Sequence, residues 1–232
     1  MSQNTLTLKP GKPWPLGATL CEEGVNFAVY SEHAETMLLA VFDGSDHEIE
    51  SAVALPARTG FVWHGFLPNA RAGLRYGFRV AGPFDLARGL RFNPSKLLLD
   101  PYAKAIAGEL TWDDSVYDHM YDHAGHPVRN QMDSAASVPR SVVVDTSFDW
   151  QGDRAPRHTA AETIVYECHV RGLTKLHPSV PEPVRGTYAG LAELAMIDHF
   201  TSLGVTAVEL LPVHHFIDDA FLVEQGLRNY WG

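Results

Sequence analysis

The chain has 232 residues, enough for one large domain or two modest ones. Its 18 Lys and Arg against 28 Asp and Glu give a net charge of −10, and an acidic surface of that kind repels phosphate backbones, which excludes nucleic-acid binding as the main task. Hydrophobic residues at 45% and charged residues at 20% exclude disorder throughout, while 19 glycines and 15 prolines favour many turns and short strands.

Residues 1–15 are polar, with Pro10, Pro13 and Pro15, and read as an extended arm. No positively charged segment leads into an apolar one here, and no apolar run nears the roughly 20 residues that span a bilayer. The sequence therefore reads as cytoplasmic, with no membrane partner. Cys21 and Cys168 lie far apart and read as two buried thiols of a reducing compartment.

Between Gly17 and Ala107 the pattern is one of strands parted by turns. Val25 to Val29 alternates with period two, as a half-buried strand does. Met37 to Phe42 is an apolar run of strand length, and Phe61 to Leu67 is rich in aromatics. Tyr76, Phe78 and Val80 fall on one face of the next strand, Arg75 and Arg79 on the other. Asp43-Gly44, Arg58-Thr59-Gly60 and Ala72-Gly73 supply turn chemistry. Short strands at this spacing predict an all-β sandwich over residues 1–107. Trp63, Tyr76 and Phe78 suit either a surface platform or the core, and alternation places Tyr76 and Phe78 in the core.

Residues 108–160 read as a connector that contains one short strand, Arg140 to Val144. Asp118-His119 and Asp122-His123 repeat at i, i+4, but no third ligand follows at a recognisable interval, so no metal site is expected. From Ala161 the grammar changes. A strand is expected over Thr163–Val170, a Gly/Pro-rich loop over 172–190, a helix over Leu194–Leu203 closed by Gly204, and a second strand over Val205–Leu211. Strand, helix, strand predicts a parallel βαβ unit. One such unit leaves its faces uncovered. A (β/α)₈ barrel needs about 250 residues, and residues 161–232 supply 72. The chain is thus expected to hold the first βαβ unit of an incomplete TIM barrel.

Three stretches of this region carry a resemblance: Glu167 to Thr174, Gly186-Thr187-Tyr188, and Leu203 to His214. They resemble the opening of the catalytic barrel in bacterial glycogen debranching enzymes, in the isoamylase-like branch of the α-amylase superfamily. Pro15 to Ala18, Gly24 to Ser31, Gly73 to Pro83 and Arg91 to Ala103 resemble the glycogen-binding, immunoglobulin-like sandwich that accompanies that barrel. The resemblance implies retaining hydrolysis of α-1,6-glucosidic branch points in glycogen or a related branched α-glucan. In that chemistry one carboxylic acid protonates the leaving oxygen and a carboxylate about 5 Å away attacks the anomeric carbon. In the family these two groups and a third carboxylate, which helps hold the distorted sugar, stand on the fourth, fifth and seventh barrel strands, so no catalytic residue is carried over to this sequence. No cofactor is implied.

His214, Tyr230 and Trp231 are the candidate substrate contacts, since they follow the second strand and apolar sugar faces pack on aromatic rings. His214-His215 is no metal motif, because neighbours on an extended chain point to opposite sides. Glu167 and Glu209 lie within strands rather than at their carboxyl ends, which assigns them structural roles. His169 and Arg171 stand near the end of the first strand, where holding loops is the expected task. Two alternatives are a non-catalytic glucan-binding sandwich and a separately encoded polypeptide that supplies the remaining barrel strands.

Overall fold

The computed structural model describes residues 6–44 and 52–230. The chain divides into two compact units, Met1–Ser147 and Phe148–Gly232.

In the first unit, β1 (Gly17–Cys21), β2 (Gly24–Tyr30), β3 (Thr36–Phe42), β4 (Val53–Ala54), β5 (Ala57–Thr59), β6 (Val62–Pro68) and β7 (Arg75–Ala81) come first. They are followed by β8 (Phe84–Asp85), β9 (Leu90–Arg91), β10 (Ala105–Ala107), β11 (His119–Tyr121), β12 (Pro127–Arg129) and β13 (Arg140–Val142). One sheet has the order β1-β2-β6-β5 and the other β10-β13-β7-β3-β4, with β8-β9 and β11-β12 as separate two-stranded ribbons. The pairings within both large sheets are antiparallel. Phe27 of the first sheet and Tyr76 of the second meet edge to face at 4.9 Å, so the two sheets pack against each other as a sandwich.

The alternation of β7 has the expected consequence: Tyr76, Phe78 and Val80 are buried in the core. Trp63 is only half-buried and packs at the core's margin. On the other face of β7, Arg79 is also buried, because Asp133 takes its guanidinium in two hydrogen bonds of 3.0 and 2.9 Å. β2 departs from the half-buried expectation, with Gly24 through Val29 all buried. Residues 9–12 lie against β2 and β6 there. Lys9 bridges to Phe66, and Asn26 accepts from the Lys12 N–H at 2.7 Å and donates to the Lys12 carbonyl at 2.9 Å. Cys21 corrects another expectation: it is exposed, at the end of an edge strand, and only Cys168 is buried.

Residues 108–147 pack within this first unit. β13 sits between β10 and β7, so the strand expected inside a connector is an inner strand of the five-stranded sheet. The stretch Asn93 to Asp100 fastens the loop through buried polar groups. Asn93 donates to the carbonyls of Asp118 and Asn130, Lys96 donates to those of Ser115 and Met132, and Leu97 N–H donates to the Ser134 hydroxyl. Tyr76 gives its hydroxyl hydrogen to Asp100 at 2.7 Å. Burial, then the Asp100 carboxylate, push the Tyr76 phenol far above its ordinary range, and burial raises Asp100 as well. The Asp–His repeat builds a hairpin: Asp122 accepts from the N–H groups of Ala124 and His126 and closes the turn between β11 and β12.

The second unit holds β14 (Val165–Cys168) and β15 (Ala207–Leu210), paired parallel from Val165↔Ala207 to Cys168↔Leu210. Between them run α1 (Val170–Thr174), α2 (Tyr188–Leu191) and α3 (Leu194–Ser202), and α4 (Ala220–Glu224) follows β15. The first strand stops at Cys168, short of the expected Val170, because His169 accepts from Gly172 N–H at 3.0 Å and starts a helix. The stretch expected as a loop is partly helical. Thr174, fully buried, accepts from Gly186 N–H at 2.7 Å, and a β-carbon at Gly190 would collide with the Val184 carbonyl oxygen. Gly204, at φ +71°, closes α3 as the sequence requires. Met196 is buried and Phe200 meets Tyr166 at 5.2 Å, while Ile197 and Leu203 are exposed.

Candidate functional site

Alternation along β14 and β15 sets two unlike faces. Tyr166 lies against Phe200 of α3, and its register partner is Val208. Glu167 and Glu209 are register partners on the opposite face, and both are exposed. The carboxyl ends of the strands are where parallel sheets assemble binding sites. There, β14 delivers His169 and α1 delivers Arg171.

The chain after β15 returns to the same place. Asp219 precedes α4, the last turn closes through Leu227 N–H to Leu222 carbonyl at 2.8 Å, and Gly226 takes φ +69°. Asp218 accepts from Asn229 N–H at 2.7 Å and lies 3.8 Å from Arg228. That fold-back seats Tyr230 on His169. The two rings are stacked, with centroids 4.9 Å apart and planes 13° from parallel, and the Arg171 guanidinium lies 5.9 Å from the Tyr230 ring centre. A β-carbon at Gly172 would come 3.3 Å from the Tyr230 hydroxyl oxygen, so glycine there admits the ring. Because Nδ1 of His169 accepts from Gly172, the neutral imidazole carries its hydrogen on Nε2.

Of the residues singled out from sequence, Tyr230 thus joins His169 and Arg171. His214 is exposed in the stretch after β15, and no ring contact joins it to this stack among the described residues. Trp231 lies outside the described residues. Tyr230 stays 55% exposed beside the Arg171 guanidinium, a setting that suits a hydroxylated ring rather than covalent chemistry. Among the described residues no cluster of three His, Cys, Asp or Glu could hold a metal ion, and none of the helices could cross a membrane.

Residues 15–103 match the family model of carbohydrate-binding module 48, the isoamylase N-terminal domain. The chain is 50% identical over 226 residues to the glycogen debranching enzyme of Klebsiella pneumoniae strain 342, a match covering 97% of this chain and 33% of that protein. The chain resembles the glycogen debranching enzymes. The glycogen operon protein GlgX homolog of Mycobacterium bovis is 48% identical over 227 residues, covering 97% of this chain and 31% of the relative. This chain therefore spans about a third of the length of the curated debranching enzymes it matches. Among solved structures, apo pullulanase from Paenibacillus barengoltzii aligns at TM-score 0.61 and 21% identity over 89% of this chain and 28% of that one. A product complex of the multi-modular glycogen-degrading pneumococcal virulence factor SpuA aligns at 0.64 and 23%, over 90% and 20%. These two speak for the fold alone.

Proposed function

We propose that the protein works in hydrolytic debranching of glycogen or a similar branched α-glucan, in the cytoplasm, and that this chain supplies the sandwich and the start of the catalytic barrel. The observation that carries the reading is the match to glycogen debranching enzymes, one residue in two over 97% of the chain and through both units. The parallel pair β14 and β15 with α3 between them supports the reading as the first βαβ unit of a (β/α)₈ barrel. In it the retaining chemistry belongs to carboxylates on later strands, outside these 232 residues, and no residue of this chain acts as acid or nucleophile.

The role left to this chain is substrate positioning. Tyr230, held against His169 and 55% exposed, offers its ring to a sugar, and His214 and Trp231 are further sugar contacts in this reading. The stack limits ring rotation before the sugar arrives, which lowers the ordering cost of binding.

A chimera tests this. Residues 1–232 replace the corresponding third of the Klebsiella pneumoniae relative, and reducing-end release from branched glucan is measured. Debranching by the chimera, with none from the 232-residue chain, is the expected result. A soluble chimera that binds glycogen and releases nothing would favour a sandwich that binds glucan without cutting it.

A further inference from the structure

The sandwich unit carries a second aromatic feature, unrelated to the strand ends of β14 and β15. Tyr30 at the end of β2 and Phe61 in the adjoining β5–β6 turn remain 53% and 45% exposed. Their rings meet edge to face, centroids 6.1 Å apart and planes at 73°, and so form an open corner. The Arg58 guanidinium lies 5.6 Å from the Phe61 ring centre and 4.9 Å from that of Trp63. Isolated apolar residues on a surface need no explanation. This group differs in that Arg58, Trp63 and the backbone of Phe61 are held by hydrogen bonds. Ser31 N–H donates to the Phe61 carbonyl at 2.9 Å, and the Trp63 indole N–H donates to the Ser31 carbonyl at 3.2 Å. Arg58 donates from Nε to the Gly60 carbonyl at 2.9 Å and from Nη2 to the Glu32 carbonyl at 3.1 Å. These bonds use two of the five N–H donors of a guanidinium. The others remain for an incoming acceptor beside two aromatic faces.

We propose that Tyr30, Phe61 and Arg58 form a binding corner for an α-1,4-linked glucan chain. The inference rests on the debranching reading for its ligand class and adds the location. A pyranose presents an apolar C–H face and a rim of hydroxyls. The face stacks on one ring, its edge meets the other, and Arg58 donates to the hydroxyls. All three residues lie within the stretch matched to a carbohydrate-binding module. Because two main-chain carbonyls already hold Arg58, little of its side-chain freedom is lost on binding.

The test is calorimetric titration of the 232-residue chain with maltoheptaose, with cellohexaose as the β-linked control. The double variant Tyr30→Ala/Phe61→Ala is expected to bind at least about tenfold more weakly. Arg58→Lys, which keeps the charge and gives up the planar stack, weakens binding less. Tyr121→Ala, which removes another exposed aromatic of this unit, leaves affinity unchanged. Circular dichroism verifies that each variant folds. The proposal is overturned if the unmodified chain does not bind maltoheptaose, if cellohexaose binds equally well, or if the double variant binds like the unmodified chain. Should the chimera debranch glycogen while the double substitution leaves its glycogen affinity intact, the corner is refuted and the debranching reading survives.

Discussion

Lys96 carries its ammonium into a place only 5% exposed, where it donates to the carbonyls of Ser115 and Met132 at 2.7 and 2.6 Å. Burial lowers its pKa, and the carboxylates of Asp133, Asp118 and Asp113 oppose that shift without cancelling it. Replacing it strands the buried Ser115 carbonyl, at a cost of about 1–3 kcal/mol, and frees the partly buried Met132 carbonyl. Lys96→Met, which keeps the length of the side chain, is therefore expected to lower stability by about 2 kcal/mol in urea unfolding. A change within about 0.5 kcal/mol would mean that the loop after β10 does not depend on it. In the sequence, Lys96 stands in a stretch legible only as part of a family pattern. Its partners lie 19 and 36 positions away, and neither periodicity nor turn chemistry marks a lysine as buried. The same holds for Asn93 and Asp100, which is why residues 108–147 look like a connector in the sequence and pack as part of the sandwich unit.

Among the elements, β7 was readable because its alternation meets the core on one side, and even Arg79 stays on the face the pattern gives it. β2 is buried on both faces where its alternation predicts one, because Asn26 is tied to the backbone of Lys12, a contact no local pattern announces. The His169–Tyr230 stack is equally hidden, since the sequence gives His169 to the end of the first strand and Tyr230 to the stretch after the second, and only the turn around α4 joins them. β14 and β15 show what pairing costs when the sheet has two strands. Glu167 and Glu209 are directly opposite, and like charges at such a position destabilise a pair by some tenths of a kcal/mol. Glu209→Gln removes the repulsion while keeping size and hydrogen-bonding capacity. It is expected to stabilise the second unit by about 0.5 kcal/mol at neutral pH and low salt, with the gain shrinking as salt is added. Hydrogen exchange of the β14 and β15 amides would report it, and faster exchange in the variant would show that the carboxylate makes a favourable contact instead.

The two units differ in how much of their apolar surface they cover themselves. The first has a continuous core, with Phe27, Leu39, Tyr76 and Val143 at 2% exposure or less. The second buries Cys168, Val180 and Met196 but leaves Ile164, Val165, Ile197, Leu203 and Val208 each more than 40% exposed. Parallel strands are normally covered on both faces and flanked by neighbours, so this surface and the open strand edges favour self-association. The sequence conveyed this imbalance through the count of strands, because a βαβ unit of known length cannot bury its own faces. Residues 1–147 alone are accordingly expected to fold and stay monomeric, with the thermal transition of the sandwich retained, at concentrations where the 232-residue chain associates. Light scattering after gel filtration compares the two. A monomeric 232-residue chain that also resists proteolysis between residues 162 and 232 would mean that the second unit is closed by contacts of its own, and the barrel reading of β14 and β15 would lose its physical ground.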